Sequence, residues 1–356
     1  MTTTTPERLY ADWSTLRSSE KGLHALDIAK KLAVSEGEML ASACGKDGPV
    51  RARRLKGDIK EIFAKLPSLG TVKTVTRNPN AVIEVLGTYD KIEFFGMMGQ
   101  SVSSIDLRIF ASRYGQAFAV REETKRGVSE GIQFFDPYGR AVHKMYLKEG
   151  SDRAAYEALV AEHLSADQSP AMEIDPEPPP PVERPDAEVD VAAFRAEWKK
   201  MTDTHQFFGL LRKHDVTRTQ ALRLIGKDFG ESVDGGAFTR LLHEAAKRAI
   251  DFMIFVGNPS MIQIHSGAVK KVVAMGAWIN VLDPGFDLHV VESAITQTYV
   301  VRKPTADGIV TSLEVYSEDG ETIVHVVGKR KPGQKESEEW REVLGTATQP
   351  LYGDAS

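Results

Sequence analysis

A single cysteine, Cys44, stands among 356 residues, which excludes an intramolecular disulfide and any cysteine-built zinc cluster. No segment approaches the ~18 continuous apolar residues of a membrane-spanning helix. The opening MTTTTPERLYADW lacks the apolar core of a secretory signal. The expectation is a cytoplasmic protein with no membrane insertion. Neither sign of charge is in large excess: 45 basic residues face 50 acidic ones, a formal net charge of −5. The chain as a whole therefore has no attraction for nucleic acid or anionic lipid, although a local basic cluster can still serve a small anion. Nucleotide and hydrolase signatures are missing as well: there is no Gly-rich loop ending in Gly-Lys-Ser/Thr, no GxGxxG and no GxSxG. HEAAK at 243–247 falls short of HExxH because Lys247 stands where the second ligand belongs.

What is present is an ordinary globular composition, 42% apolar and 27% charged, in a chain long enough for about two domains. Seven of the 17 prolines fall within 166–190, ADQSPAMEIDPEPPPPVERPDAEVD, interleaved with acidic residues. That composition predicts a solvated, partly extended connector. It separates an N-terminal repeat, 1–165, from a C-terminal repeat, 191–356. The two pieces match in order. TVTRNPNAVIEVLG answers MIFVGNPSMIQIHSG, each with two β-rich runs around an Asn-Pro turn. SSIDLRIF answers PGFDLHVV, and the stretch beginning FAVREETKRG answers the one beginning YVVRKPTADG. Ahead of these strands, HALDIAKKLAVSEGEMLASACG and QFFGLLRKHDVTRTQALRLIG share apolar spacings of three and four with a Gly stop. GDIKEIFAKL and GAFTRLLHEAAKRA form a further amphipathic pair. The fold class is therefore α+β, a tandem repeat in which each half has two or three helices followed by a large antiparallel meander.

The stretch MTDTHQFFGLLRKH (201–214) carries two histidines nine residues apart on one short helix. At about 100° per residue they lie roughly half a turn from each other, so they do not face one ligand from a straight helix. Asp203 or Thr204 is placed to cap the helix, with His205 in its first turn beside Phe207 and Phe208. His205 is either a ligand for the edge of a flat apolar molecule or a partly buried helix histidine; His214 reads as a solvent-facing or helix-end residue. The repeat sets Leu23 opposite His205 and Arg108 opposite His289, so a site at His205 is single. Arg108 has an ordinary alternative, an ion pair with Asp106 on the sheet surface. Phe255 in an alternating strand is ordinarily core, and Lys303 and Arg330 sit at strand ends where basic residues need no ligand.

TDTHQFFGLLRKHDVTRTQALRLIG (202–226), GNPSMIQIHSG (257–267), WINVLDPGFDLH (278–289) and KPTADGIVTSLEVY (303–316) together resemble the bacterial haemin-degrading factors, cytoplasmic proteins of haem utilisation. The resemblance spans nearly the whole chain. It implies haem (iron protoporphyrin IX) as the bound group, in haem iron acquisition, and a site between the halves. His205 matches the family's axial iron ligand in the motif Thr-Asp-x-His-x-Phe-Phe. Arg108 matches the arginine across the haem, where a permanently charged guanidinium hydrogen-bonds a water or dioxygen without coordinating iron. Phe110 and Phe255 match residues that pack on the porphyrin. Arg218, Lys303 and Arg330 match the propionate-binding cations, as charge-assisted donors. Where the family has glutamine and tyrosine in the last hairpin, this chain has His325 and Val327, which leaves His325 as a second imidazole near the pocket. Two activities follow from the family: oxidative ring opening with dioxygen and an electron donor, with His205 and Arg108 as the catalytic pair, or pure haem carriage. The partners implied are a haem oxygenase or the haem-uptake transporter.

Overall fold

The tandem repeat is borne out almost element for element in the computed structural model, which describes residues 5–20, 22–330 and 333–349. The first half runs through α1 (Pro6–Ser19), α2 (Ala25–Leu32), α3 (Glu36–Ala41), β1 (Val50–Leu55) and α4 (Ile59–Lys65). Eight strands follow: β2 (Gly70–Arg77), β3 (Ala81–Gly87), β4 (Ile92–Phe95), β5 (Met98–Ser101), β6 (Asp106–Phe110), β7 (Gln116–Thr124), β8 (Gly127–Phe135) and β9 (Ala141–Ser151). Helix α5 (Arg153–Glu162) closes the half. The second half repeats that order as α6 (Val191–Trp198), α7 (Gln206–His214), α8 (Arg218–Leu224), β10 (Gly230–Val233) and α9 (Ala237–Arg248). Its strands are β11 (Phe252–Asn258), β12 (Met261–Gly267), β13 (Val272–Met275), β14 (Trp278–Asp283), β15 (Phe286–Val291), β16 (Gln297–Thr305), β17 (Gly308–Tyr316) and β18 (Thr322–Gly328), with α10 (Glu338–Thr348) at the end.

Three features were not expected. A leading helix, α1 or α6, makes four helices ahead of each meander where two or three were expected; a strand, β1 or β10, interrupts the helices of each half; and a helix, α5 or α10, follows the meander. Strand β1 is VRARRL, with alternating burial at its start, and it pairs antiparallel with β7 at the edge of its sheet. Three arginines in six residues masked that alternation, although charge on an edge strand is a usual guard against further pairing.

The chain divides into two compact units. The first comprises Met1–Arg77, Glu84–Pro178 and Asn258–Gln263; the second comprises Asn78–Ile83, Pro179–Gly257 and Ile264–Ser356. In the first unit the sheet order is β1-β7-β8-β9-β2, and in the second it is β10-β16-β17-β18-β11. Neighbouring strands in both runs are antiparallel.

Helix ends set the correspondence between repeats. Helix α2 stops at Ala33 and α7 at Asp215, both left-handed, at φ 52° and 49°. Counting back the same ten residues from each reaches Leu23 and His205. Sheet register agrees, since Gln133 faces Lys144 as Glu314 faces His325, and Arg108 faces Gln100 as His289 faces Asn280. Helix α9 buries Phe238, Leu241, Leu242 and Ala245, the spacing expected of one apolar face.

A buried polar chain fastens the segment Asn258–Gln263 into the first unit. The Thr76 hydroxyl donates to Gln263 Oε1 at 2.8 Å, and Gln263 Nε2 donates to Thr74 at 2.9 Å. With its one proton spent, Thr76 must accept from His143 Nδ1 (2.8 Å), so His143 Nε2 accepts from the Tyr89 hydroxyl at 2.7 Å. Burial pushes the His143 imidazolium down to about 3, keeping the ring neutral as that accounting requires.

The proline-rich connector has no helix or strand until a short 3-10 turn at Asp186–Glu188. Most of it is exposed, as its composition predicts, and a few contacts anchor it. Met172 joins the core of the first unit, and the Arg54 guanidinium donates to the carbonyls of Ser169 and Ala171. In the second unit, Glu183 and Asp186 pair with Arg223. Prolines donate no N–H, so the connector is held through its carbonyls and acidic side chains.

Candidate functional site

The second unit brings two of the predicted site residues, Arg218 and Lys303, together on one buried carboxylate. Glu314 lies on β17 in a strand whose last seven residues are all buried, and it is itself inaccessible to solvent. A charge in that position is tolerable only with a full set of donors. Arg218, the first residue of α8, gives both Nε (3.0 Å) and Nη2 (2.8 Å) to Oε2, and the Tyr316 hydroxyl donates to the same oxygen. Lys303 Nζ (2.5 Å) and Ser312 Oγ (3.0 Å) serve Oε1. Burial by itself would raise the Glu314 carboxyl; the Arg218 guanidinium, then the Lys303 ammonium, overcome it and hold the group well below the usual carboxylate range.

Below these cations lies Phe207, 2% exposed, its ring 5.2 Å from the Arg218 guanidinium carbon and 4.4 Å from Lys303 Nζ. Such stacking favours a desolvated cation. The aromatic pair of the motif is thus split: Phe207 belongs to the core, whereas Phe208 is 59% exposed with Arg218 5.7 Å from its ring.

His205 lies two residues before Phe207, at the start of α7. It is the residue before α7 and so the helix cap position itself, where the sequence had suggested Asp203 or Thr204 with His205 one turn in. Its side chain is 91% exposed. Asp203 Oδ1 accepts both the His205 backbone N–H (2.7 Å) and the ring Nδ1 (2.6 Å). A carboxylate only accepts, so Nδ1 carries the proton and the neutral ring presents a bare Nε2 lone pair. Those two bonds, backbone first, lower the Asp203 carboxyl below its usual value, with Arg330 a lesser contributor. The loop rests on the β16–β17 hairpin, where the Ala306 N–H donates to the Thr202 carbonyl at 2.8 Å. Arg330 reaches the tip of that hairpin, pairing with Asp307 at 3.2 Å.

The other histidines separate clearly. His325 on β18 faces Glu314 across the sheet and lies tilted on Phe255, ring centres 5.2 Å apart. Its Nε2 is 3.5 Å from Glu314 Oε1, within ion-pair range yet too long for a hydrogen bond, and this buried atom has no hydrogen-bond partner. Burial pushes the ring down to about 3, so it is neutral. His214 does end α7, but its side chain is only 10% exposed and packs edge-on against Phe194. His289 is half-buried, its Nδ1 2.6 Å from Asn280 Oδ1.

Arg108 and Phe110 belong to the first unit, on β6. Arg108 pairs with Asp106 and donates to the Leu107 carbonyl at 3.0 Å. The Phe110 N–H donates to the Ser260 carbonyl at 3.0 Å.

Sequence reading missed Glu314, Tyr316 and Ser312. The available signal was the alternation in VTSLEVY: Ser312, Glu314 and Tyr316 share one strand face with period two. A lone glutamate among β-formers reads as solvent-facing unless cations elsewhere are known to reach it.

Among the described residues there is no group of three or more histidine, cysteine or acidic side chains able to cage a metal. Nor is any helix long and apolar enough to cross a membrane.

The model of the haemin-degrading HemS/ChuX domain matches the chain twice, over residues 33–163 and 215–346. The hemin transport protein HmuS of Yersinia pestis is 40% identical over 338 residues, covering 94% of this chain and 96% of that one. Among solved structures, holo-PhuS, described as a heme-binding protein from Pseudomonas aeruginosa, superposes with a TM-score of 0.93 at 42% identity over 98% of this chain and 100% of that one. ChuS, described as an E. coli heme oxygenase, gives 0.86 at 35% identity over 96% and 99%.

Proposed function

The chain belongs to the HemS/ChuX family of haemin-degrading domains, and on that premise we propose that it binds haem as its cargo in haem iron acquisition, with His205 Nε2 as the axial ligand. The single observation that carries this reading is the His205–Asp203 pair. An exposed imidazole whose Nδ1 proton is held by a carboxylate at 2.6 Å is the arrangement metal-ligating histidines adopt, because the carboxylate fixes the tautomer and raises ligand basicity. The neighbouring groups suit the rest of the cargo. Phe208 offers an exposed aromatic face, and after giving Nε and Nη2 to Glu314, Arg218 keeps Nη1 without an acceptor among the described residues. A propionate is received there by a charge-assisted bond, and Arg330 at the hairpin tip is placed for the second. Lys303, 4% exposed and bound to Glu314, acts by balancing that carboxylate so that Arg218 retains positive character. Phe110 and Phe255 are assigned the porphyrin faces, and Arg108 the iron side opposite His205.

Carriage is the activity the geometry supports best. The proposed ligand is open to solvent, which suits capture and release, and the Arg108 guanidinium is already engaged by Asp106. Oxidative ring opening is the second reading, favoured by the likeness to a protein described as a heme oxygenase. There His205 holds the iron, Arg108 donates to dioxygen, and an external reductant supplies electrons.

Titrating the haem-free protein with haemin tests the ligand. Wild type should give a saturable Soret shift, and His205→Leu, which copies Leu23 of the first repeat, should alter the Soret and visible bands with an unchanged far-UV spectrum. Identical spectra would remove His205 as ligand. Incubating the loaded protein with an electron donor in air, with catalase present, separates the activities. Haem that stays intact and leaves for an added haem oxygenase supports carriage; a defined tetrapyrrole product overturns it in favour of turnover.

A further inference from the structure

Among the described residues the sheets end in four edge strands, β1, β4, β10 and β13. An edge offers open N–H and C=O groups to any further strand, and charge within the strand is a usual guard. Strand β1 (VRARRL) carries three arginines, β4 (IEFF) carries Glu93 and β10 (GESV) carries Glu231. Strand β13 (VVAM) carries no charge. Its hairpin with β14 shows which groups are open. The Leu282 N–H donates to the Lys271 carbonyl at 2.9 Å, and in the same register Val273 faces Asn280 and Met275 faces Trp278. Antiparallel alternation therefore turns the backbone groups of Lys271, Val273 and Met275 toward β14, and those of Val272 and Ala274 toward the free edge. Ala274 and Met275 are exposed there, as are Lys270 and Lys271 just before the strand.

We propose that β13 is a self-association edge, through which two copies of the chain pair antiparallel about a two-fold axis at Val273. That register sets Val272 of each copy against Ala274 of the other, each such pair exchanging two N–H···O bonds, so the outward groups of both strands are satisfied. The two Val273 side chains meet on the axis. Lys271 of each copy lies beside Met275 of the other, its alkyl stem along the thioether. No charge stands opposite a like charge, and a two-fold contact needs a patch that complements itself in this way. The first repeat shows the guarded alternative. Strand β4 occupies the corresponding place, and its tip also exposes Phe95 and Met98. Glu93 faces Gln100 as Val273 faces Asn280, so the same pairing there would set Glu93 against Glu93. Like charges directly opposite destabilise a ladder. Short strands make a small contact, of the weak and reversible class. No part of this contact depends on the haem reading, since all its residues lie on the β13–β14 hairpin.

Sedimentation velocity of the full-length, haem-free protein tests the contact. The dimer fraction should rise as concentration increases from about 1 μM to about 1 mM. Val273→Glu, which copies Glu93 of the first repeat, should weaken association at least about tenfold, with the far-UV spectrum and haemin titration of the wild type. Cysteine cross-linking reads the register. The axis brings the two Val273 Cα atoms to about 4.5 Å, within disulfide reach, whereas the Met275 Cα atoms stand about 14 Å apart. The native Cys44 is buried. Under mild oxidation Val273→Cys should form a covalent dimer, and Met275→Cys, although more exposed in position, should not. The cross-linking pair stays decisive should Val273→Glu misfold. A protein monomeric across that range, unchanged association in Val273→Glu, or Met275→Cys dimers forming as readily as those of Val273→Cys would each overturn the proposal.

Discussion

The same helix and the same three strands meet at the centre of each repeat, and they bury opposite arrangements of charge. In the first unit the helix contributes the carboxylate, Glu36, and the sheet contributes a cation, Lys144. In the second the helix contributes the cation, Arg218, and the sheet the carboxylate, Glu314. In each arrangement the buried carboxylate is paired with a cation from the facing element, so the fold tolerates either sign provided the partner changes with it. The arrangements differ in what they leave open. Phe207 fills the second and stacks beneath its cations, whereas Ala25 lines a cavity in the first. Duplication preserved the frame, and substitutions at a few facing positions gave the halves different chemistry.

Breaking the second cluster should have the largest effect. Glu314→Leu leaves the buried Arg218 and Lys303 without their carboxylate, and about 3–5 kcal/mol of stability should be lost, read as a lower urea midpoint. A change below 1 kcal/mol, roughly a surface pair's worth, would mean that the cluster is solvated in solution. Phe207→Ala makes the second repeat resemble the first. It should cost about 3 kcal/mol or more by the usual scale for buried aromatics and open a cavity that benzene-sized probes enter. If the variant is as stable as wild type, the ring is not packed as the structure has it.

Acid sharpens the comparison through histidine. Burial holds His143 and His325 at about 3 and His265 at about 4, all below the ordinary value of 6.5. Below 6.5 the unfolded chain takes up protons that the folded protein refuses, so stability is complete above that value and falls as pH drops toward 4. For His143, fully buried, the loss is on the order of 1.4 kcal/mol per pH unit. His143→Asn should flatten that slope in urea melts at about pH 7 and about pH 5; an unaltered slope would place its titration elsewhere. The smallest expected effect is that of Arg108→Ala. Its pair with Asp106 is one-third exposed on the arginine side, and such pairs contribute roughly 0–1 kcal/mol. Stability should barely move, while the ferric spectrum of the loaded protein changes if Arg108 faces the iron.

Much of this was readable before any coordinates. Period-two and period-three-to-four patterns located the meanders and the helices α2–α4 and α7–α9, and the Asn-Pro turns aligned the repeats. Helical phase separated His205 from His214 as two different environments; of the two positions expected for His214, it takes the helix end and packs against Phe194 instead of facing solvent. Strands β1 and β10 and the closing helices escaped notice, the first because arginines obscured a short alternation. Glu314 escaped for a deeper reason: its partners lie about 96 and 11 residues away in sequence, at Arg218 and Lys303.

The sequence by itself determined the α+β class, the duplication, the single unduplicated histidine at position 205 and the family. Those follow from local periodicity and from motifs contiguous in the chain. Only the tertiary structure decided that Asp203 holds the His205 Nδ1 proton, that Phe207 is core while Phe208 is exposed, that Arg218 and Lys303 share one buried carboxylate, and that Ala25 lines a cavity in the first unit. These depend on which groups lose water together, and desolvation is a property of the assembled interior that no single stretch of chain carries.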